Sequence, residues 1–176
     1  MKLVGRILVP AVLMSAIAAS PSLAVTSGTA TVTLAATANT MVDILDPSIT
    51  LTPTPSDYDN DYVDAAGASG LRVRVKTNSS TGMVLSVRCS DATPQISLAD
   101  LLVKTATAAG AGGSALASYT AVSSSDMSLW STGAAQHAWQ TVTTDVRVQN
   151  LINYNDGAGP GVTNYTNTLT YTVVTQ

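Results

Sequence analysis

The clearest pattern of apolar and polar positions lies at the end of the chain. Residues 164–175 read NYTNTLTYTVVT, with Tyr165, Leu169, Tyr171 and Val173 on odd positions. Thr166, Thr168, Thr170 and Thr172 fill the even ones. A period of two sends the two sets to opposite faces of a pleated strand. The stretch therefore predicts a closing strand with a buried row of Tyr165, Leu169, Tyr171 and Val173 and a solvated, β-branched row of threonines. Asn167 is the polar break in the inward row.

Weaker alternation recurs along the chain. Residues 25–38 read VTSGTATVTLAATA, and Val32, Leu34 and Ala36 share one face of a predicted strand. Short strands are expected at 41–45 and 49–52, with Asp46-Pro47 as the turn between them and Pro53 and Pro55 ending the pattern. Leu71, Val73 and Val75 alternate with Arg72, Arg74 and Lys76, and Met83, Leu85, Val87 and Cys89 alternate after the polar stretch NSSTG at 78–82. That pair predicts a β-hairpin with a five-residue loop. Residues 94–104 read as either a short strand or a helical turn, and the Ala- and Gly-rich stretch 106–114 reads as a loop.

Further strands are expected at 119–122 and 127–130. Over 138–154, Val142, Val146, Val148, Ile152 and Tyr154 share one face, against Thr143, Asp145, Arg147 and Gln149. The loop NDGAGPGV follows, so the last two strands are expected to pair antiparallel. After residue 24 no helical period lasts three turns. The expected fold is all-β: an antiparallel, immunoglobulin-like β-sandwich of about eight short strands.

Composition adds export. Lys2 and Arg6 precede an apolar run at 7–19, and Ser22-Leu23-Ala24 places small residues where a signal peptidase reads. Residues 1–24 are therefore expected to be a secretory signal peptide, leaving 25–176 as a single β-sandwich domain with no membrane span of its own. Localisation follows as exported: periplasm, cell surface or extracellular. Loss of Lys2 and Arg6 takes the formal charge from −3 to −5, which disfavours nucleic acid as a partner. All 11 acidic residues are aspartates, a residue of turns and caps.

Candidate chemistry is sparse. His137 is the single histidine, Cys89 the single cysteine, and there is no glutamate, so neither a nucleophile–base pair nor a metal set is singled out. The expectation is a non-enzymatic protein with no catalytic residue, no cofactor and no metal. Asp57, Asp59 and Asp61 have the opening spacing of a calcium loop, but Tyr62 stands where glycine belongs and Ala68 where glutamate belongs. Cys89 falls on an apolar row and reads as a small core residue. Trp130 and Trp139 are candidate glycan-stacking residues, with core packing as the alternative.

The ending GVTNYTNTLTYTVVTQ resembles the last strand of bacterial fimbrial subunits and of spore coat U-like secreted proteins. Gly161, Tyr165, Leu169, Tyr171 and Val173 carry that resemblance. The segment TATVTLAATA is similar to the exposed N-terminal strand of such subunits. The resemblance implies a structural surface or pilus-like fibre subunit whose N-terminal strand, with Val32, Leu34 and Ala36, completes the sandwich of a neighbour. Its partners would be other copies of itself or related surface subunits. The alternative function is a secreted module that binds cell-wall or other polysaccharide.

Overall fold

The protein's structure, a computed structural model, describes residues 31–108, 113–154 and 164–176. The expected signal segment, residues 1–24, lies outside them. The chain divides into two units, Met1–Ala35 and Ala36–Gln176. In the first unit the described residues, 31–35, form no strand, and Val32 and Leu34 are 94% and 87% exposed. The strand expected over 25–38 is thus not formed in its described part. Ala36, at the start of the second unit, is also exposed and outside any strand.

The described residues of the second unit form ten strands: β1 (Thr40–Ile44), β2 (Tyr62–Ala65), β3 (Leu71–Thr77), β4 (Met83–Cys89) and β5 (Leu101–Ala108). The others are β6 (Gly113–Ala115), β7 (Thr120–Ala121), β8 (Met127–Thr132), β9 (Gln136–Gln149) and β10 (Leu169–Thr175). One sheet has the order β1-β3-β9-β5-β7, with β2 also paired to β9. The other has the order β10-β4-β8-β6. Every pairing is antiparallel. The all-β sandwich expected from alternation is therefore the observed fold.

The long strand β9 organises the larger sheet. Its 14 residues carry β5 along one edge and β3 and β2 end to end along the other. The inward rows fill the core: Val73 and Val75 from β3, Val142 and Val146 from β9, Val103 from β5, facing Met83, Leu85 and Val87 of β4. Each such side chain contributes about 1.5–3 kcal/mol by leaving water. A bulge opposite Leu85 and Ser86 lets two consecutive residues of β8, Leu129 and Trp130, both turn inward.

Two pairings differ from expectation. β3 and β4 form no hairpin: they lie in opposite sheets, and 78–82 arches between them. Alternation looks the same in a strand of either sheet, so it sets the inward row and not the partner. The arch is tight at Gly82, whose φ of 84° suits glycine. A Cβ there would lie 1.7 Å from the Thr132 carbonyl oxygen. Likewise β10 runs along β4, from Leu169 opposite Cys89 to Thr175 opposite Met83, and not along β9.

Residues 49–52 join no ladder. The acidic run becomes a short helix, α1 (Pro55–Asn60), followed by β2. Ile152 falls in a 3₁₀ turn (Leu151–Asn153) beyond the end of β9 and is 79% exposed, because the strand's periodicity stops at Asn150, which adopts a left-handed conformation.

Candidate functional site

The sandwich is open on one side. β1 and β10 are edge strands of their sheets and adjoin one another across the layer. Between them lies a cleft of about 1100 Å³. Its walls include Val42 and Ile44 of β1 and Leu169 and Tyr171 of β10, and its floor includes Val146 and Leu151. Val42 is paired with Val75 and Ile44 with Val73, so both belong to the inward row. They are nonetheless 37% and 43% exposed, whereas Val73 and Val75 are fully buried.

The segment 46–53 also lines the cleft. Ile49 and Leu51 pack on the core, as their alternation requires. Among the described residues, no backbone hydrogen bond joins 47–53 to another segment. Prolines at 47 and 53 bracket the stretch and lack the N–H that a ladder uses.

Across the cleft, 164–168 is irregular too. The Asn167 side chain explains its polar place in the inward row. Its Oδ1 accepts the N–H groups of Gln95 and Ile96, both at 2.9 Å, and its Nδ2 donates to the Ile96 carbonyl at 2.8 Å. One side chain thus does the work of a strand pair. Of the expected closing-strand core, Leu169, Tyr171 and Val173 are half-buried in β10. Tyr165 lies outside the strand, 39% exposed, edge-on to Tyr154 with ring centroids 5.3 Å apart.

Polar groups at the cleft are mostly held. The Tyr154 hydroxyl donates to Asp100 Oδ2 at 2.7 Å and accepts the Ser97 N–H at 3.1 Å. Partial burial and the adjacent Asp100 carboxylate push the Tyr154 pKa up to about 12. The Tyr171 hydroxyl adjoins that of Thr144 in the core, but neither makes a well-formed hydrogen bond. Burial raises the Tyr171 pKa.

The two tryptophans part company. Trp130 is 1% exposed in the core and offers no face to a glycan, because the β8 bulge turns it inward. Trp139 is half-buried on the outer face of the larger sheet, with the Arg74 guanidinium 4.8 Å and the Lys76 ammonium 4.6 Å from its ring. His137 is exposed beside it and lines a small cavity with no serine or aspartate among its lining residues.

The aspartate run is not arranged around an ion. The Asp57 carboxylate accepts both the N–H and the hydroxyl of Thr54, each at 2.7 Å, and so caps α1. Those bonds lower the Asp57 pKa. Asp61 closes the helix in a left-handed conformation. Among the described residues no group of three His, Cys, Asp or Glu side chains could hold a metal. Cys89 is buried in the core, as its place in the row predicts.

Sequence reasoning missed one cluster. The Arg147 guanidinium is sandwiched by Tyr62 at 3.8 Å and Tyr119 at 4.2 Å, and pairs with Asp64 at 2.6 Å. Arg147 and Asp64 both lie on outward rows of paired strands, β9 and β2, and only that pairing brings them opposite one another.

No protein-family profile matches the chain, no curated protein matches its sequence, and no solved structure matches its fold. Fold and site define its class: an all-β sandwich of two antiparallel sheets, open between two edge strands.

Proposed function

We propose that the chain is an exported, non-enzymatic subunit of a surface or pilus-like fibre, assembled by docking its N-terminal strand into the cleft of a neighbouring copy. The supporting observation is the cleft of about 1100 Å³ between β1 and β10, with inward-row Val42 and Ile44 left part-exposed. Among the described residues, both flanking strands are paired on one edge only. An extended segment laid there gains main-chain hydrogen bonds from a free edge and buries alternate side chains. The stretch with Val32, Leu34 and Ala36 has that alternation and, as described, no ladder of its own.

Deleting residues 25–37 tests the reading. The full-length mature chain should give a ladder of oligomers on unboiled gels, and the deletion should give monomer. A synthetic peptide of residues 25–37 should then bind the deleted chain, and the same peptide with Asp at 32 and 34 should not. A full-length mature chain that stays monomeric at high concentration ends the proposal.

A second reading, polysaccharide binding, is favoured by Trp139, which is half-buried on the outer face and not in the core. Pull-down on cell-wall polysaccharide, lost in Trp139→Ala with an unchanged melting midpoint, would support it.

A further inference from the structure

The outer face of β3 carries three cations in a row, and they are not equivalent. Arg72 pairs with Asp46 at 2.7 Å and Arg74 with Asp43 at 2.7 Å. Lys76 comes next, and its cross-strand partner on β1 is Met41. Among the described residues no carboxylate lies within ion-pair distance of the Lys76 ammonium. In a chain of formal charge −3 an uncompensated cation is the exception.

The ladder is also broken at this point. Val75 is opposite Gln140 and Thr77 is opposite Gln136, so Lys76 alone faces His137, Ala138 and Trp139. Irregularities of this kind re-aim side chains and are enriched next to functional sites. Here a cavity of about 240 Å³ opens, lined by Asn39, Met41, Lys76, Asn78, Gln136 and His137, with Thr77 completing it. The Lys76 ammonium sits 4.6 Å from the Trp139 ring, a contact that leaves its N–H donors free for a further acceptor.

We propose that this cavity binds the carboxylate of an acidic saccharide, a uronate-type sugar residue. Lys76 supplies the counter-charge and His137 a ring nitrogen. The Gln136 carbonyl oxygen accepts from sugar hydroxyls. Met41 gives apolar surface to the C–H face of a sugar, while Trp139 lies behind the lining, against the Lys76 ammonium. The volume lies below the roughly 300–1,000 Å³ of drug-sized pockets, which suits one ring and not a chain of rings. An acidic peptide would satisfy Lys76 but would make less use of the amide side chains of Asn39 and Gln136, which match sugar hydroxyls.

The proposal deepens the polysaccharide reading and rests on it. It is independent of assembly, because Met41 and Lys76 occupy the outward rows of strands whose inward rows line the cleft or fill the core.

The test is calorimetric titration of the full-length mature protein with an oligogalacturonide, a neutral oligosaccharide of equal length, and an oligo-aspartate peptide. The expected result is binding of the oligogalacturonide alone, weakening as salt rises. Lys76→Gln should lower that affinity roughly tenfold to hundredfold, in line with loss of a charge-assisted contact. His137→Gln should lower it less. His137→Gln should keep the wild-type melting midpoint, and Lys76→Gln should lower it only slightly, by loss of the contact with Trp139. Equal binding of the neutral oligosaccharide would overturn the carboxylate assignment while leaving polysaccharide binding standing. Preferential binding of oligo-aspartate, unchanged affinity in Lys76→Gln, or no binding of any probe at millimolar concentration would each overturn the inference.

Discussion

β1 and β3 run side by side with the same alternation and turn the same row inward, yet their fates differ. Val73 and Val75 are fully buried, while their direct partners Ile44 and Val42 remain 43% and 37% exposed. The backbone pattern is identical; what differs is the layer above. β3 lies over β4 and β8 in one cluster with Met83, Leu85 and Trp130. β1 lies at the rim, where the smaller sheet ends at β10. Direction of a side chain is set locally by pleat, whereas burial is set by what the opposite sheet supplies.

The largest test of that contrast is truncation. Trp130→Ala should cost about 3–5 kcal/mol in urea unfolding, and Ile44→Ala, already half in water, under about 1 kcal/mol. Comparable losses at both positions would mean that the cleft side is as closed as the centre. Next in size is Gly82→Ala. Its positive φ and the Thr132 carbonyl in the space of a new Cβ should cost at least about 1–3 kcal/mol.

A smaller test compares two threonines of the inward rows. Thr105 Oγ1 donates to the Leu129 carbonyl at 2.7 Å, whereas Thr144 Oγ1 has no well-formed partner. Thr105→Val should lose about 1 kcal/mol, and Thr144→Val should be neutral or stabilising by up to about 1 kcal/mol. The opposite order would place a good hydrogen bond at Thr144.

The smallest effect is in alkali. Tyr154 at the cleft and Tyr119 on the outer face both have pKa values pushed up to about 12, by partial burial and by neighbouring carboxylates. A folded-state pKa above the unfolded value means stability that is complete below about pH 10 and lost as pH rises toward 12. Absorbance titration should show Tyr119 and Tyr154 ionising late, with the buried Tyr171 also raised, together with a falling melting midpoint. Tyr154→Phe should remove one late transition and flatten that fall.

Much of this was legible in the chain, and the limits have physical reasons. The inward rows of β3, β4 and β10 follow from their period, and Cys89 was placed correctly by its row. Partner choice was not legible, since Leu71–Thr77 reads the same whether its neighbour is the next strand or β9. α1 was hidden because six residues cannot display a period, and its signal is the cap, Thr54 with Pro55 and Asp57. Trp130 turns inward through a bulge, which breaks the alternation used to find strands. The cleft has no signal in the sequence: nothing in Val42 or Ile44 tells that the layer opposite stops short. The cavity at Lys76 had one readable hint, the third cation of a row facing Met41 where an acid would complete the series.

Among the described strands, none is hydrogen-bonded to the strand that follows it in the chain. Such a molecule has no local two-strand seed from which to grow. Every ladder must wait for a distant segment to arrive, at an entropic cost that grows with the loop being closed. Refolding should therefore be slow, on the millisecond-to-second scale of high contact-order β proteins, and the unfinished chain would present bare ladder edges throughout that interval.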